Sequence, residues 1–118
     1  MSEQLGKVVF MDKIIRINLT SEQVDMLMED LSNVESVALF LMNDDDKYTF
    51  FSKKFHQFSD LYNKFSSDVE KYHAEFLNLQ ATGNPDFEKF MDLQHRAFEH
   101  MMRCSNYKKI YELLLDTI

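Results

Sequence analysis

Two of the four histidines in the chain follow a carboxylate by three residues, in the pairs Glu70/His73 and Asp92/His95. Two such pairs facing each other from neighbouring helices are typical of di-iron carboxylate bundles, because each metal takes one nitrogen ligand and several oxygen ligands. The apolar residues around His95 turn it away from the predicted core, however, and Asp is a shorter ligand than Glu. A metal-binding helical bundle is therefore the alternative function, and the main expectation is a protein without metal or cofactor.

His100 and Cys104 lie one helical turn apart, a spacing at which an imidazole can activate a thiol. Nucleophilic catalysis also needs a third, orienting group and donors for an oxyanion, and a narrow helical seam offers neither. The two glycines in the chain are too few for a phosphate-binding loop. We expect both side chains to be core residues, with no catalytic residues and no enzymatic activity.

The spacing of apolar residues predicts the helices that position these side chains. Ten of them lie alternately three and four residues apart, as in coiled-coil heptads, which places them on one face of a continuous helix. This apolar seam consists of Tyr48, Phe51, Phe55, Phe58, Tyr62, Phe65, Val69, Tyr72, Phe76 and Leu79. We expect the helix over about residues 47–81, where Gly83 and Pro85 stop it and the short connection returns the next helix antiparallel, with residue 73 opposite roughly residue 94.

Apolar residues at the same spacing predict a helix over about 86–118, which would bury His100 and Cys104, and a shorter acidic helix over about 21–42. The apolar seam of the shorter helix consists of Val24, Leu27, Leu31, Val34, Ala38 and Leu41. The shorter helix begins at a capping-box pattern, Thr20 with Gln23 three residues later. The predicted fold is all-α, an elongated three-helix bundle built on the long antiparallel hairpin.

Residues 36–42 are also compatible with a second fold, because this short apolar run is followed by a polar turn and then by residues 47–52. Two such segments can form a β-hairpin, and periodicity alone does not separate a short strand from a helix. Residues 8–19, rich in β-branched side chains, would add a strand. The alternative is an α+β fold with this small sheet backed by the helical hairpin.

The length of 118 residues indicates a single domain, with residues 1–19 as an N-terminal arm or strand and residues 20–118 as a helical body. One cysteine excludes an internal disulfide. The first residues lack a cleavable signal pattern, and no stretch approaches the roughly 18 apolar residues that a membrane span needs. We therefore expect a cytoplasmic protein that does not contact a membrane.

The net charge of −7 arises in one segment, because residues 20–46 hold eight acidic side chains and no base, while residues 47–118 are balanced. Direct binding to nucleic acid is not expected, since it requires clustered Lys and Arg. A protein partner with a basic surface is expected instead. The acidic residues predicted to bind it are Glu22, Asp25, Glu29, Asp30, Asp44, Asp45 and Asp46.

Eight methionines and eleven phenylalanines give the chain more apolar surface than its seams require. In the last helix the predicted contact residues beside the seam are Phe87, Met91, Phe98 and Met102. Flexible Met side chains adapt well to helical partners, and the same surface would serve a homodimer.

Together these patterns predict a non-enzymatic protein-interaction module, an adaptor, regulator or inhibitor. Its acidic segment and its Met/Phe-rich helical surface are expected to bind a protein partner. The small size and the Phe-, Asn-, Lys- and Met-rich composition are typical of phage or mobile-element proteins, for which the location would be the host cytoplasm.

Overall fold

The computed structural model describes residues 19–118, and their fold is all-α. Residues 19–118 form four helices, which are α1 (Ser21–Asp30), α2 (Asn33–Leu41), α3 (Asp44–Ala81) and α4 (Phe87–Asp116). The long helices α3 and α4 pack against each other, which confirms the predicted hairpin. Residues 36–42 and 47–52 are almost entirely helical, so the α+β alternative is wrong for the described residues. The predicted arm or strand over residues 1–19 lies, except for Leu19, outside them.

The short acidic segment forms two helices, α1 and α2, and not the single helix predicted over residues 21–42. The Thr20 hydroxyl accepts a hydrogen bond from the Gln23 amide at 3.1 Å, and the Gln23 side chain accepts one from the Thr20 amide at 2.9 Å. Ser32 and Glu35 repeat this capping box at the start of α2, with distances of 3.1 and 2.9 Å. These side-chain bonds replace the backbone bonds of a continuous helix, so Leu31 is extended and the chain starts a new helix.

Helix α3 begins three residues earlier than predicted, because Asn43 supplies the N-terminal cap. Its side-chain oxygen accepts a hydrogen bond from the Asp46 amide at 2.8 Å. At the other end Gly83 takes a left-handed backbone conformation, with φ of 72°, and the Asn84 amide donates to the Leu79 carbonyl at 3.0 Å. This backbone bond satisfies a carbonyl of the last turn and ends the helix as the sequence predicts.

The described residues form two compact units. The first unit contains the residues up to His56, together with Asn106–Ile118, and the second unit is Gln57–Ser105. The core of the first unit combines residues of all four helices, and its most fully buried side chains are Leu27, Leu31, Ser36, Leu39, Ile110 and Tyr111.

In the second unit the two arms of the hairpin meet through ring pairs along their length. Their centroid distances are 5.1 Å for Phe65 and His100, 6.2 Å for Tyr72 and Phe90, and 6.0 Å for Phe76 and Phe87. The amide nitrogen of Gln94 lies 3.1 Å from Nδ1 of His73, which confirms the predicted register of residue 73 opposite roughly residue 94. The long seam is therefore the contact line of the hairpin here.

Candidate partner-binding surfaces

The two carboxylate–histidine pairs do not converge in the structure. Three of their four side chains have other neighbours: His73 contacts Gln94 at 3.1 Å, His95 contacts Glu99 at 2.9 Å, and Asp92 contacts Arg96 at 3.1 Å. His95 is exposed, in agreement with its predicted orientation away from the core. Within residues 19–118, no group of three or more His, Cys, Asp or Glu side chains is placed to hold a metal ion.

The prediction that His100 is a core residue is wrong, because its side chain is exposed. Its ring stacks on Phe65 with the centroids 5.1 Å apart, so the imidazole covers an aromatic face while its polar edge remains in water. Cys104 is buried as expected, and burial raises the pKa of its thiol despite the nearby Arg103. A thiol with a raised pKa forms less thiolate at neutral pH, and Cys104 lies in the core as predicted.

Asp30, one of the acidic residues predicted to bind a partner, belongs instead to a polar network inside the first unit. The Lys54 ammonium lies 3.3 Å from the Asp30 carboxylate and 3.6 Å from the Glu35 carboxylate. The Tyr111 hydroxyl, on α4, donates a hydrogen bond to Asp30. Only 15% of the Lys54 side chain and 19% of the Asp30 side chain are exposed. These contacts hold the junction of α1 and α2 against α3 and α4.

The charges in this network follow from its surroundings. Burial raises the pKa of Tyr111 far above its usual range, and the hydrogen bond and charge of Asp30 raise it further, so the phenol remains a protonated donor. Burial alone would also raise the pKa of Glu35. The hydrogen bonds from Ser32 and the charge of Lys54 outweigh burial and lower the pKa of Glu35 below its ordinary value. Glu35 is therefore ionised at neutral pH beside the Lys54 ammonium.

Three other predicted acidic residues, Glu22, Asp25 and Glu29, are exposed and lie on one face of α1, which we call the acidic face. Their spacing of three and four residues keeps them on the side of the helix opposite the buried Leu27 and Leu31. This acidic face is therefore exposed to solvent, and its role in binding stays a prediction.

The aspartates Asp44, Asp45 and Asp46 are exposed in the first turn of α3. Carboxylates are stabilised there by the positive end of the helix dipole. They therefore help to start α3.

The predicted Met/Phe surface is exposed on α4 except at its first residue. Met91, Phe98 and Met102 have 51%, 47% and 43% of their surface exposed, and their spacing of seven and four residues places them on one face, here named the α4 stripe. Phe87 is half-buried and contacts Phe76 across the hairpin. The stripe extends over about 16 Å of helix.

A hollow of about 250 Å³ adjoins the α4 stripe in the second unit. Its lining consists of Val69, Met91, Gln94, His95 and Phe98. Pockets for drug-sized molecules usually occupy roughly 300–1,000 Å³, so this hollow is smaller than a usual small-molecule pocket.

A second exposed apolar surface was missed by the sequence prediction. Val34, Val37 and Leu41, here named the α2 face, have 79%, 37% and 76% of their surface exposed. The prediction of one helix over residues 21–42 placed Val34 and Leu41 in the buried seam. Because α2 restarts at the Ser32 capping box, its buried residues are Ser36 and Leu39 instead. The S-x-x-E pattern from Ser32 to Glu35 was the signal in the sequence that predicts this restart.

The comparisons with known proteins contain no match. No protein-family model matches the chain, and no curated protein and no solved structure is detectably similar to it. Among the described residues, no helix is both long enough and apolar enough to cross a membrane.

Proposed function

We propose that this protein is a non-enzymatic protein-interaction module, an adaptor, regulator or inhibitor, that binds a protein partner through the α4 stripe. The acidic face of α1 favours a partner with a basic surface. Action in the cytoplasm is part of the same proposal.

The exposure of the α4 stripe is the observation that carries this proposal. Two methionines and a phenylalanine are half-exposed in one line on a helix whose other face is used by the hairpin. Burying a fully exposed large apolar side chain contributes roughly 1.5–3 kcal/mol, and because these three are already about half buried, a partner that covers them gains about half of that from each. Phe and Met are also enriched at protein interfaces over most surface residues.

The acidic face supports the choice of a basic partner. Its carboxylates lie on the outer side of α1, so they face the solvent through which a partner approaches. Complementary charge mainly accelerates association and selects among partners, while the apolar contacts slow dissociation.

The proposal is tested by affinity capture from a lysate of the organism that encodes the protein, read by mass spectrometry. The bait is compared with a variant that carries Met91→Ser, Phe98→Ser and Met102→Ser. We expect the wild type to retain a specific protein that the variant loses, because serine removes the apolar contact area but leaves the hairpin contacts in place.

A control variant, Leu77→Ser with Tyr48→Ser, changes exposed apolar residues of α3 and should retain the same protein. Circular dichroism verifies that all three proteins are equally helical. Equal capture by the wild type and the stripe variant would rule out the α4 stripe as the binding surface.

A further inference from the structure

We propose that the α2 face is a second docking surface and that it binds an amphipathic helix of a partner protein. The bound helix has basic residues at one end of its own apolar side. This inference rests on the proposed function as an interaction module and adds a surface that the α4 stripe does not include. It is carried by the exposed apolar side chains of α2 together with the charge at the end of that helix.

The apolar part of the surface is the α2 face itself. Val34, Val37 and Leu41 are spaced three and four residues apart, so they form one ridge on the side of α2 opposite the buried Leu39. From Val34 to Leu41 the ridge extends over roughly 10 Å, or about two helical turns. A contact of this length fits the apolar side of a short helix, which presents its own residues at the same spacing.

The charged part of the surface must lie close to the α2 face, because α3 starts three residues after Leu41. The Cα atoms of Leu41 and Asp44 are therefore at most about 11 Å apart. Asp44, Asp45 and Asp46 are all exposed, and the following Lys47 leaves this turn with a net charge of −2.

This charge decides which occupant fits the α2 face. A second copy of the chain would bring two groups of aspartates to the same interface, where they repel each other. A membrane surface with anionic lipids would be repelled in the same way. A helix with lysines or arginines at one end gains both the apolar contact and the attraction to the aspartates.

The probe for this inference is a synthetic 18-residue Leu/Lys peptide that forms an amphipathic helix with its lysines concentrated towards one end. Two control peptides accompany it: a scrambled Leu/Lys peptide with the same charge but no apolar side, and a Leu/Glu peptide. Fluorescence anisotropy gives the dissociation constant of each peptide for the complete protein. We expect binding of the amphipathic Leu/Lys peptide at least tenfold tighter than that of either control.

Three variants of the protein locate the binding surface. Val34→Ser with Val37→Ser and Leu41→Ser should weaken binding at least tenfold. Asp44→Asn with Asp45→Asn should weaken binding at least threefold and reduce its dependence on salt, while Asn43 and Asp46 keep the α3 cap. The matched control is Leu77→Ser with Leu113→Ser and Ile118→Ser, which also replaces three exposed apolar residues with serine but lies outside the α2 face and the α4 stripe, and it should bind the peptide as the wild type does.

A spin-labelled peptide bound to the wild-type protein gives an answer that does not depend on how the variants fold. Paramagnetic broadening of NMR signals should be strongest at residues 34–44. Broadening centred on the α4 stripe, equal binding of the scrambled peptide, or unchanged affinity in the folded α2 variant would overturn the inference. Self-association through the α2 face, or binding to vesicles of phosphatidylcholine and phosphatidylglycerol that displaces the peptide, would assign the surface to a different occupant. None of these results depends on the capture experiment, so the α4-stripe proposal and the α2-face proposal are tested separately.

Discussion

Lys54 interacts with two carboxylates that belong to different short helices, Asp30 at the end of α1 and Glu35 in the first turn of α2. Tyr111 adds a hydrogen bond to Asp30 from the far side of the core. Sequence patterns place each of these residues on a helix, but none of them indicates which charged side chains meet across the core. Sequence reasoning therefore grouped Asp30 with the partner-binding residues and could not show that it lies in this network.

Replacement of Tyr111 by Phe should lower the free energy of unfolding by about 1–3 kcal/mol, because it removes the hydrogen bond to a half-buried carboxylate while keeping the ring. Urea denaturation of the purified proteins measures this change. Tyr48→Phe is the matched control, since Tyr48 is 56% exposed, and it should change the stability by less than about 0.5 kcal/mol. Equal effects of the two substitutions would show that the Tyr111 hydroxyl does not stabilise the fold.

Replacement of Lys54 by Met should destabilise the protein at pH 7 by about 1–3 kcal/mol, because Asp30 and Glu35 lose their shared cation. The pKa of Glu35 is held below its ordinary value of 4.5, so its contribution to stability is present above that pH and is lost as the pH falls through the lowered pKa. In the variant the pKa of Glu35 is lowered less, and therefore less stability is lost in acid.

The measurement for Lys54→Met is urea denaturation of wild type and variant between pH 3 and pH 7. The stability difference between the two proteins should narrow below about pH 4.5. A difference that remains constant over this range would show that the Lys54–Glu35 pair does not contribute to the pH dependence.

At the scale of the helices, apolar spacing and capping patterns predicted most of what the structure contains. The seam of α3, the stop at Gly83 and the capping box at Thr20 all depend on contacts between near neighbours in the chain, which sequence patterns record directly. The break between α1 and α2 was missed because the apolar spacing continues through Leu31 and Val34 without interruption. The hydrogen bonds of the capping box at Ser32 start a new helix there, although the apolar spacing alone would favour one continuous helix.

Because of this break, α2 buries a different side from the one that a continuous helix would bury. A pair of substitutions tests this difference. Leu27→Ala should cost about 2–5 kcal/mol, because Leu27 is fully buried and its truncation leaves a cavity. Val34→Ala should cost less than about 0.5 kcal/mol, because Val34 is exposed. If residues 21–42 formed one continuous helix with the predicted seam, both substitutions would be strongly destabilising, so a large effect of Val34→Ala measured by urea denaturation would contradict the two-helix arrangement.

Ser32→Ala tests the cause of the break directly. Loss of the hydroxyl that accepts from the Glu35 amide should cost about 1 kcal/mol, the usual effect of removing a helix N-cap. Ser67→Ala is a matched control, since Ser67 is exposed in the interior of α3 and alanine favours that position. A stability for Ser32→Ala equal to or above that of the wild type would mean that the capping box does not hold α2 in place.

For the whole molecule, the uneven distribution of charge is the property that sequence reasoning identified most directly. Net charge can be read from composition, whereas the positions of exposed apolar residues depend on how the helices are rotated. Glu22, Asp25 and Glu29 are exposed, and their role in binding a partner stays a prediction, whereas the exposure of the α2 face was not predicted. A partner's identity lies beyond both kinds of pattern, because it depends on a second surface.

Reversal of charge on the acidic face tests its part in binding. Glu22→Lys with Asp25→Lys and Glu29→Lys should weaken binding of the captured partner about tenfold at 50 mM salt and much less at 500 mM, because salt screens exposed charges. Asp60→Lys with Glu70→Lys and Glu88→Lys changes the net charge equally in the second unit and should weaken binding less. Equal losses in the two variants would indicate that only the total charge matters and not the acidic face.

The most direct test of the central claim is hydrogen–deuterium exchange of the protein alone and in complex with the captured partner. If the α4 stripe is the binding surface, peptides covering residues 87–102 should exchange more slowly in the complex, while peptides covering residues 57–65 remain unchanged. Unchanged exchange over residues 87–102, with slowed exchange elsewhere in the chain, would contradict the account.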